Sequence, residues 1–200
     1  ICLAPTHGDA FIGLCRKADL AMYRAKADGR NGWFCYNDTL DQQQHSKLML
    51  ITLLRQALAQ QQISVVYQPK FSLEPFALTG VEALMRWHCP ELGEVSPARF
   101  IPLAEETGLI DELGLFVLQQ ACQQARQWQL QGWPLAVAVN VSGRQLYHGQ
   151  LPAQVAQVLQ QSGLSPGLLQ LELTESTLIG DQLQIEQQLQ QIVALGVSLA

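Results

Sequence analysis

Three oxygen-bearing side chains stand in or at the end of short apolar runs. Glu82 lies in Thr79-Gly80-Val81-Glu82-Ala83-Leu84-Met85-Arg86-Trp87, Asn140 ends Ala136-Val137-Ala138-Val139-Asn140, and Glu172 lies in Leu169-Gln170-Leu171-Glu172-Leu173. Burying such a group without a partner costs several kcal/mol, and a shared cation removes that cost. Two carboxylates and one carboxamide are hard oxygen donors. No histidine or cysteine is placed to join them, so the set suits magnesium or manganese better than zinc. A single acid of this kind is more simply read as the partner of an arginine or a backbone donor, but three on successive strands favour the metal. Arg86 follows Glu82 by four residues and shares its strand face, because side chains alternate with period two. It could hold a phosphate or pair with Glu82; spacing leaves both open.

The elements that must position these residues follow from hydrophobic periodicity. Strands are predicted over 63–67, 78–87, 135–141, 168–173 and 197–200, and helices over 97–106, 110–131, 151–162 and 181–195. Strands separated by helices of this length predict an α/β fold with a mostly parallel sheet, an incomplete (β/α) TIM-like barrel. In such a barrel the active site gathers at the carboxyl ends of the strands, where the three oxygen ligands fall. Upstream, apolar residues at Phe11, Leu14, Cys15, Ala18, Met22 and Ala25 have helical spacing, and Asp28-Gly29-Arg30-Asn31-Gly32 stops that helix. A short strand is predicted over 33–36. The glutamine-rich stretch from 37 to 62, amphipathic through Leu48, Ile51, Leu54 and Leu58, reads as a connecting helix.

Composition excludes several classes. With 48% hydrophobic and 14% charged residues the chain can bury a sizeable core. Its net charge of −5 argues against a surface built for duplex nucleic acid, so a nucleotide ligand would be small and held in a local pocket. Cys2, Cys15, Cys35, Cys89 and Cys122 are odd in number and widely spaced, the pattern of reduced, partly buried thiols in a cytoplasmic protein. The opening Ile1-Cys2-Leu3-Ala4-Pro5 has no leader character and reads as the interior of something longer. No run approaches the roughly 18 apolar residues of a membrane span, so no membrane contact is expected in this segment, although upstream segments could anchor the parent.

Five ordered motifs resemble the EAL phosphodiesterase family. They are Tyr67-Gln68-Pro69; Gly80-Val81-Glu82-Ala83-Leu84-Met85-Arg86-Trp87; the segment from Pro97 to Ile110 that contains Phe100-Ile101-Pro102-Leu103-Ala104-Glu105; Val139-Asn140-Val141-Ser142; and Glu172-Leu173-Thr174-Glu175-Ser176. Ala18 to Asn31 is similar to the last helix and turn of a GGDEF domain. The resemblance divides the chain into the end of a GGDEF domain (1–37), a connecting helix (38–62) and the first part of an EAL domain (63–200).

The resemblance implies hydrolysis of cyclic di-GMP to pGpG by the parent protein, with two magnesium or manganese ions. Glu82, Asn140 and Glu172 would be metal ligands, with Glu82 at the catalytic centre. Glu175 would brace a loop near the metals and the dimer contact. Gln68, Leu84 and Arg86 would touch the dinucleotide, and Lys26 and Arg30 correspond to nucleotide-phosphate contacts of the GGDEF domain. A homodimer through the EAL domain is expected, and calcium is expected to inhibit. The alternatives are a non-catalytic cyclic di-GMP receptor and a bifunctional cyclase and phosphodiesterase. Further ligands of the family fall beyond Ala200, so these residues alone are expected to be inactive and to leave the barrel unclosed. Cys89, where relatives often carry histidine, reads as a neutral loop change.

Overall fold

A computed structural model describes residues 1–27, 29, 31–173 and 182–200. The chain divides into two compact units, Ile1–Thr52 and Leu53–Ala200. The first unit holds α1 (Phe11–Ala27) and the start of α2 (Asp38–Ala57), which crosses the division. Ala21, Tyr36 and Leu40 form its small core, with Cys2, Leu20 and Phe34 packed against them. The strand expected over 33–36 is not formed. Among the described residues its backbone pairs with Ile1, whose amino nitrogen donates to the Phe34 carbonyl at 2.6 Å while Tyr36 N–H donates to the Ile1 carbonyl at 2.8 Å. One residue of pairing does not make a ladder.

The second unit runs β1 (Ile63–Leu73), β2 (Phe76–Cys89), β3 (Gly93–Val95), α3 (Pro97–Thr107), α4 (Ile110–Leu130), β4 (Ala136–Val141), α5 (Gly143–Tyr147), α6 (Leu151–Ser162), β5 (Leu169–Leu173), α7 (Gln182–Ala194) and β6 (Ser198–Leu199). The sheet order is β1-β2-β4-β5-β6, with β3 paired to β2. Strands β2, β4, β5 and β6 are parallel neighbours, each joined to the next through helices, as the periodicity predicts. The first pairing departs from it: β1 and β2 are antiparallel, because only Glu74 and Pro75 separate them and a parallel crossover needs a dozen or so residues.

Period-two alternation gives the sheet two different faces. Val81, Ala83, Val137, Val139, Leu169 and Leu171 are buried on one of them, where α4 covers them with Val117, Ala121 and Cys122. Gly80 allows β2 and β4 to meet at all: a Cβ there would lie 2.5 Å from the Ala136 carbonyl oxygen. Helix α3 begins with Pro97 in its first turn, where the missing N–H costs nothing. It stops at Gly108, whose φ of 83° is the left-handed conformation that glycine adopts freely.

Candidate active site

The sheet's other face carries the polar residues. On β2, Glu82, Leu84 and Arg86 alternate with buried Val81, Ala83 and Trp87. Gln68 stands directly opposite Glu82 in the antiparallel register, so their side chains leave the same face. On the parallel side, Asn140 and Glu172 are register partners across β4 and β5. The three oxygen ligands singled out by sequence are therefore together on one face.

Their contacts differ. Asn140 donates Nδ2 to Glu82 Oε1 at 2.7 Å, whereas Glu172 Oε1 accepts from Lys70 Nζ at 2.6 Å. Lys70 also approaches Gln170 Oε1 at 3.4 Å. The lysine lies on β1, three places from β5 in the sheet order. In a flat sheet that is ~14 Å, with both side chains standing perpendicular to the sheet, so the contact requires the strands to curl as in a barrel wall. Arg86 leaves Glu82 alone among the described residues, donating Nη1 to the Met85 carbonyl at 2.8 Å. Of the two roles open to Arg86 from spacing, ion-pairing with Glu82 is not the one observed.

Beside these residues lies a cavity of about 290 Å³, lined among others by Leu84, Arg86, Ile101, Glu105, Asn140 and Ser142. A hydrogen-bonded frame fixes its wall. Ser142 caps α5 through a capping box: its Oγ accepts from Arg144 N–H at 3.3 Å, and Gln145 Oε1 accepts from Ser142 N–H at 3.0 Å. The same hydroxyl donates to Glu105 Oε1 at 2.7 Å, and Arg144 Nη1 donates to the Glu105 carbonyl at 2.9 Å. The end of α3 is thereby tied to the end of β4.

Sequence reasoning passed over this frame, although Ser142-Gly143-Arg144-Gln145 has the capping-box spacing. It also passed over Lys70, which shares a strand face with Gln68 by period two. Gln68 is exposed, and Leu84 and Arg86 are half-buried in the cavity wall. Lys26 belongs to the first unit, where its ammonium lies 5.7 Å from the Tyr23 ring centroid. Glu175 and Arg30 lie outside the described residues. Cys89 is not a loop residue: it ends β2, pairs with Gly93 and is fully buried, with its thiol donating to Glu91 Oε2 at 3.0 Å. Desolvation pushes that thiol up, and the hydrogen bond to it holds Glu91 below the usual carboxylate range.

The residues present fit a hard divalent cation. Two carboxylates and a carboxamide from β2, β4 and β5 share one face, Glu82 and Asn140 in contact, and an ammonium sits on Glu172 where a cation would. Rotating the Asn140 amide by half a turn would offer Oδ1 in place of Nδ2.

A curled, mostly parallel α/β sheet with helices covering one face and oxygen donors on the other is of the TIM-like barrel type. Residues 52–200 match the EAL domain family, and the chain belongs to it. The bifunctional diguanylate cyclase/cyclic di-GMP phosphodiesterase MucR of Pseudomonas aeruginosa is 40% identical over 203 residues, spanning all of this chain and 29% of that protein. The cyclic di-GMP phosphodiesterase PdeR of Escherichia coli is 38% identical over 200 residues, spanning all of this chain and 30% of that protein. A solved structure of PaMucR phosphodiesterase in complex with c-di-GMP superposes with a TM-score of 0.72 at 41% identity, covering 76% of this chain and 62% of that one. The chain thus spans less than a third of the length of these two curated relatives.

Proposed function

We propose that the protein carrying this chain hydrolyses cyclic di-GMP to pGpG with magnesium or manganese at Glu82, Asn140 and Glu172. The observation that carries the reading is that these three donors share one face of three adjacent parallel strands, Glu82 midway along β2 and bonded to Asn140, and Asn140 and Glu172 register partners near the ends of β4 and β5. When bound, such ions supply an activated water and neutralise charge on the attacked phosphate. This chain's own residues bind and orient. Arg86, free of Glu82, takes a phosphate oxygen; Leu84 and the cavity wall take the apolar surface of the dinucleotide; Gln68 contacts it from the neighbouring strand.

The likeness to MucR extends over the whole chain, which supports reading 1–37 as the end of a GGDEF domain, 38–62 as the connecting helix and 63–200 as part of the EAL domain. In the GGDEF domain Lys26 and Arg30 would meet nucleotide phosphates. Glu175 would brace a loop at a homodimer contact, and the protein would act in the cytoplasm. No described helix is long and apolar enough to cross a membrane.

The test is incubation of the full-length protein with cyclic di-GMP and magnesium, with chromatographic detection of pGpG. Formation of pGpG, abolished by Glu82→Gln, supports the enzyme. Binding without turnover would assign a receptor instead, and neither binding nor turnover would overturn the reading.

A further inference from the structure

Among the described residues Lys70 is the one charged group that the structure sets against a predicted metal ligand, and neither the strand-end pattern nor the motifs gave it a part. Its ammonium lies 2.6 Å from Glu172 Oε1, a short charge-assisted bond. Among the described residues no other ion pair of Lys70 is found, and its second neighbour, Gln170 Oε1 at 3.4 Å, is a neutral acceptor on the same strand as Glu172.

We propose that Lys70 is a built-in competitor for the divalent cation at Glu172. The inference rests on the metal reading above and goes one step past it. Glu82 already has the Asn140 amide as a donor, whereas the Glu172 carboxylate shares that face, and without a metal Lys70 is the cation set beside it among the described residues. Its ammonium offsets the carboxylate's charge. The same oxygen cannot serve the ammonium and a cation at full strength, and the ammonium's charge repels an arriving cation. Lys70 must therefore withdraw when the ion binds.

The side chain is suited to withdrawing. Lysine is a point charge on a flexible stem, without the rigid fork that locks arginine to a carboxylate. The Lys70 side chain is 40% exposed against 24% for Glu172, so its head can swing to water while the carboxylate stays. The device raises the metal concentration at which the site fills: Glu172 stays neutralised at low metal and is released to the cation as metal rises.

The measurement is manganese binding to the full-length protein without nucleotide, followed by electron paramagnetic resonance of the free ion. Lys70→Met, and the polar Lys70→Gln as a second variant should the first fail to fold, are expected to bind manganese roughly three- to tenfold more tightly than the unaltered protein. Lys70→Arg is expected to bind no more tightly than the unaltered protein. Affinity unchanged or weakened in both Lys70→Met and Lys70→Gln overturns the competition. Glu172→Gln separates the two levels of the argument. If it weakens manganese binding while the lysine variants change nothing, competition alone is wrong. If it leaves binding untouched, the assignment of Glu172 to the metal fails, and the competition with it.

Discussion

Asn140 donates its Nδ2 to Glu82 Oε1 at 2.7 Å, joining two adjacent parallel strands through residues 58 apart in sequence. Asn140 is exposed and Glu82 half-buried, so this bond is not needed to satisfy a closed core. It holds two oxygen-bearing groups side by side, one of them, Asn140, lining the cavity.

Glu82→Gln and Glu172→Gln are therefore expected to remove activity without removing the fold. Losing a residue that merely orients a metal ligand costs roughly 10- to 100-fold, so loss of a ligand itself should lower cyclic di-GMP turnover by at least about a hundredfold. Circular dichroism of each variant should match the unaltered protein. Near-normal turnover by either would remove that residue from the metal set.

Gly80 makes a different demand. A Cβ at this position would lie 2.5 Å from the backbone oxygen of Ala136, which cannot move without disturbing the β2–β4 pairing that begins there. Gly80→Ala should destabilise the protein by about 1–3 kcal/mol, as overpacking does elsewhere. Chemical denaturation would show it as a lower midpoint with an unchanged slope. An unchanged midpoint would mean that the strands can separate slightly at no cost.

Much of this arrangement was legible because β2, β4 and β5 each announce themselves as an apolar run broken by polar residues on one face. Glu82, Asn140 and Glu172 were found that way, and the register places them together. The orientation of β1 was missed although Glu74-Pro75 is a turn signal, because the alternation in residues 68–73 is broken by Pro69 and Lys70 and hides the length of the strand. The contact between Lys70 and Glu172 could not be read locally, since it spans 102 residues and exists only once the sheet curls. The strand at 33–36 fails for the opposite reason: its residues have strand propensity, but among the described residues the backbone they pair with is that of Ile1, too little for a ladder. Burial of Cys89 depends on the β2–β3 hairpin, which three residues of β3 made too short to see.

Ser142 is a joint between cap and tether. Its hydroxyl accepts from Arg144 N–H within α5 and donates to Glu105 Oε1 at 2.7 Å. Losing an N-cap costs roughly 1 kcal/mol, and Glu105 would lose a buried-side partner as well. Ser142→Ala should lower stability by about 1–2 kcal/mol. Because the tether sets the cavity wall, the Michaelis constant for cyclic di-GMP should rise more than the turnover number falls. A variant with normal stability and a normal Michaelis constant would show that Arg144 holds the wall alone.

Cys122 is the most strongly shifted group in the described residues. Burial under the sheet, among Val117, Ala121 and Ala125, pushes its thiol from an ordinary 9.0 up to about 12, since an apolar surround disfavours the thiolate. Alkylation depends on the thiolate, so at pH 8 the folded protein should be modified at exposed Cys15 while Cys122 and buried Cys89 stay intact until denaturant is added. Peptide mass spectrometry after timed quenching reads this directly. The same shift links stability to pH. The folded protein holds the Cys122 proton more tightly than the unfolded chain, so the contribution is complete below about pH 9 and is lost as pH rises toward 12. Cys122→Ala removes the titrating group, and Cys122→Val removes it while restoring most of the volume. Both variants should show a shallower alkaline decline in stability than the unaltered protein. Equal slopes, or rapid labelling of Cys122 at pH 8, would mean that α4 opens to solvent well below the global unfolding transition.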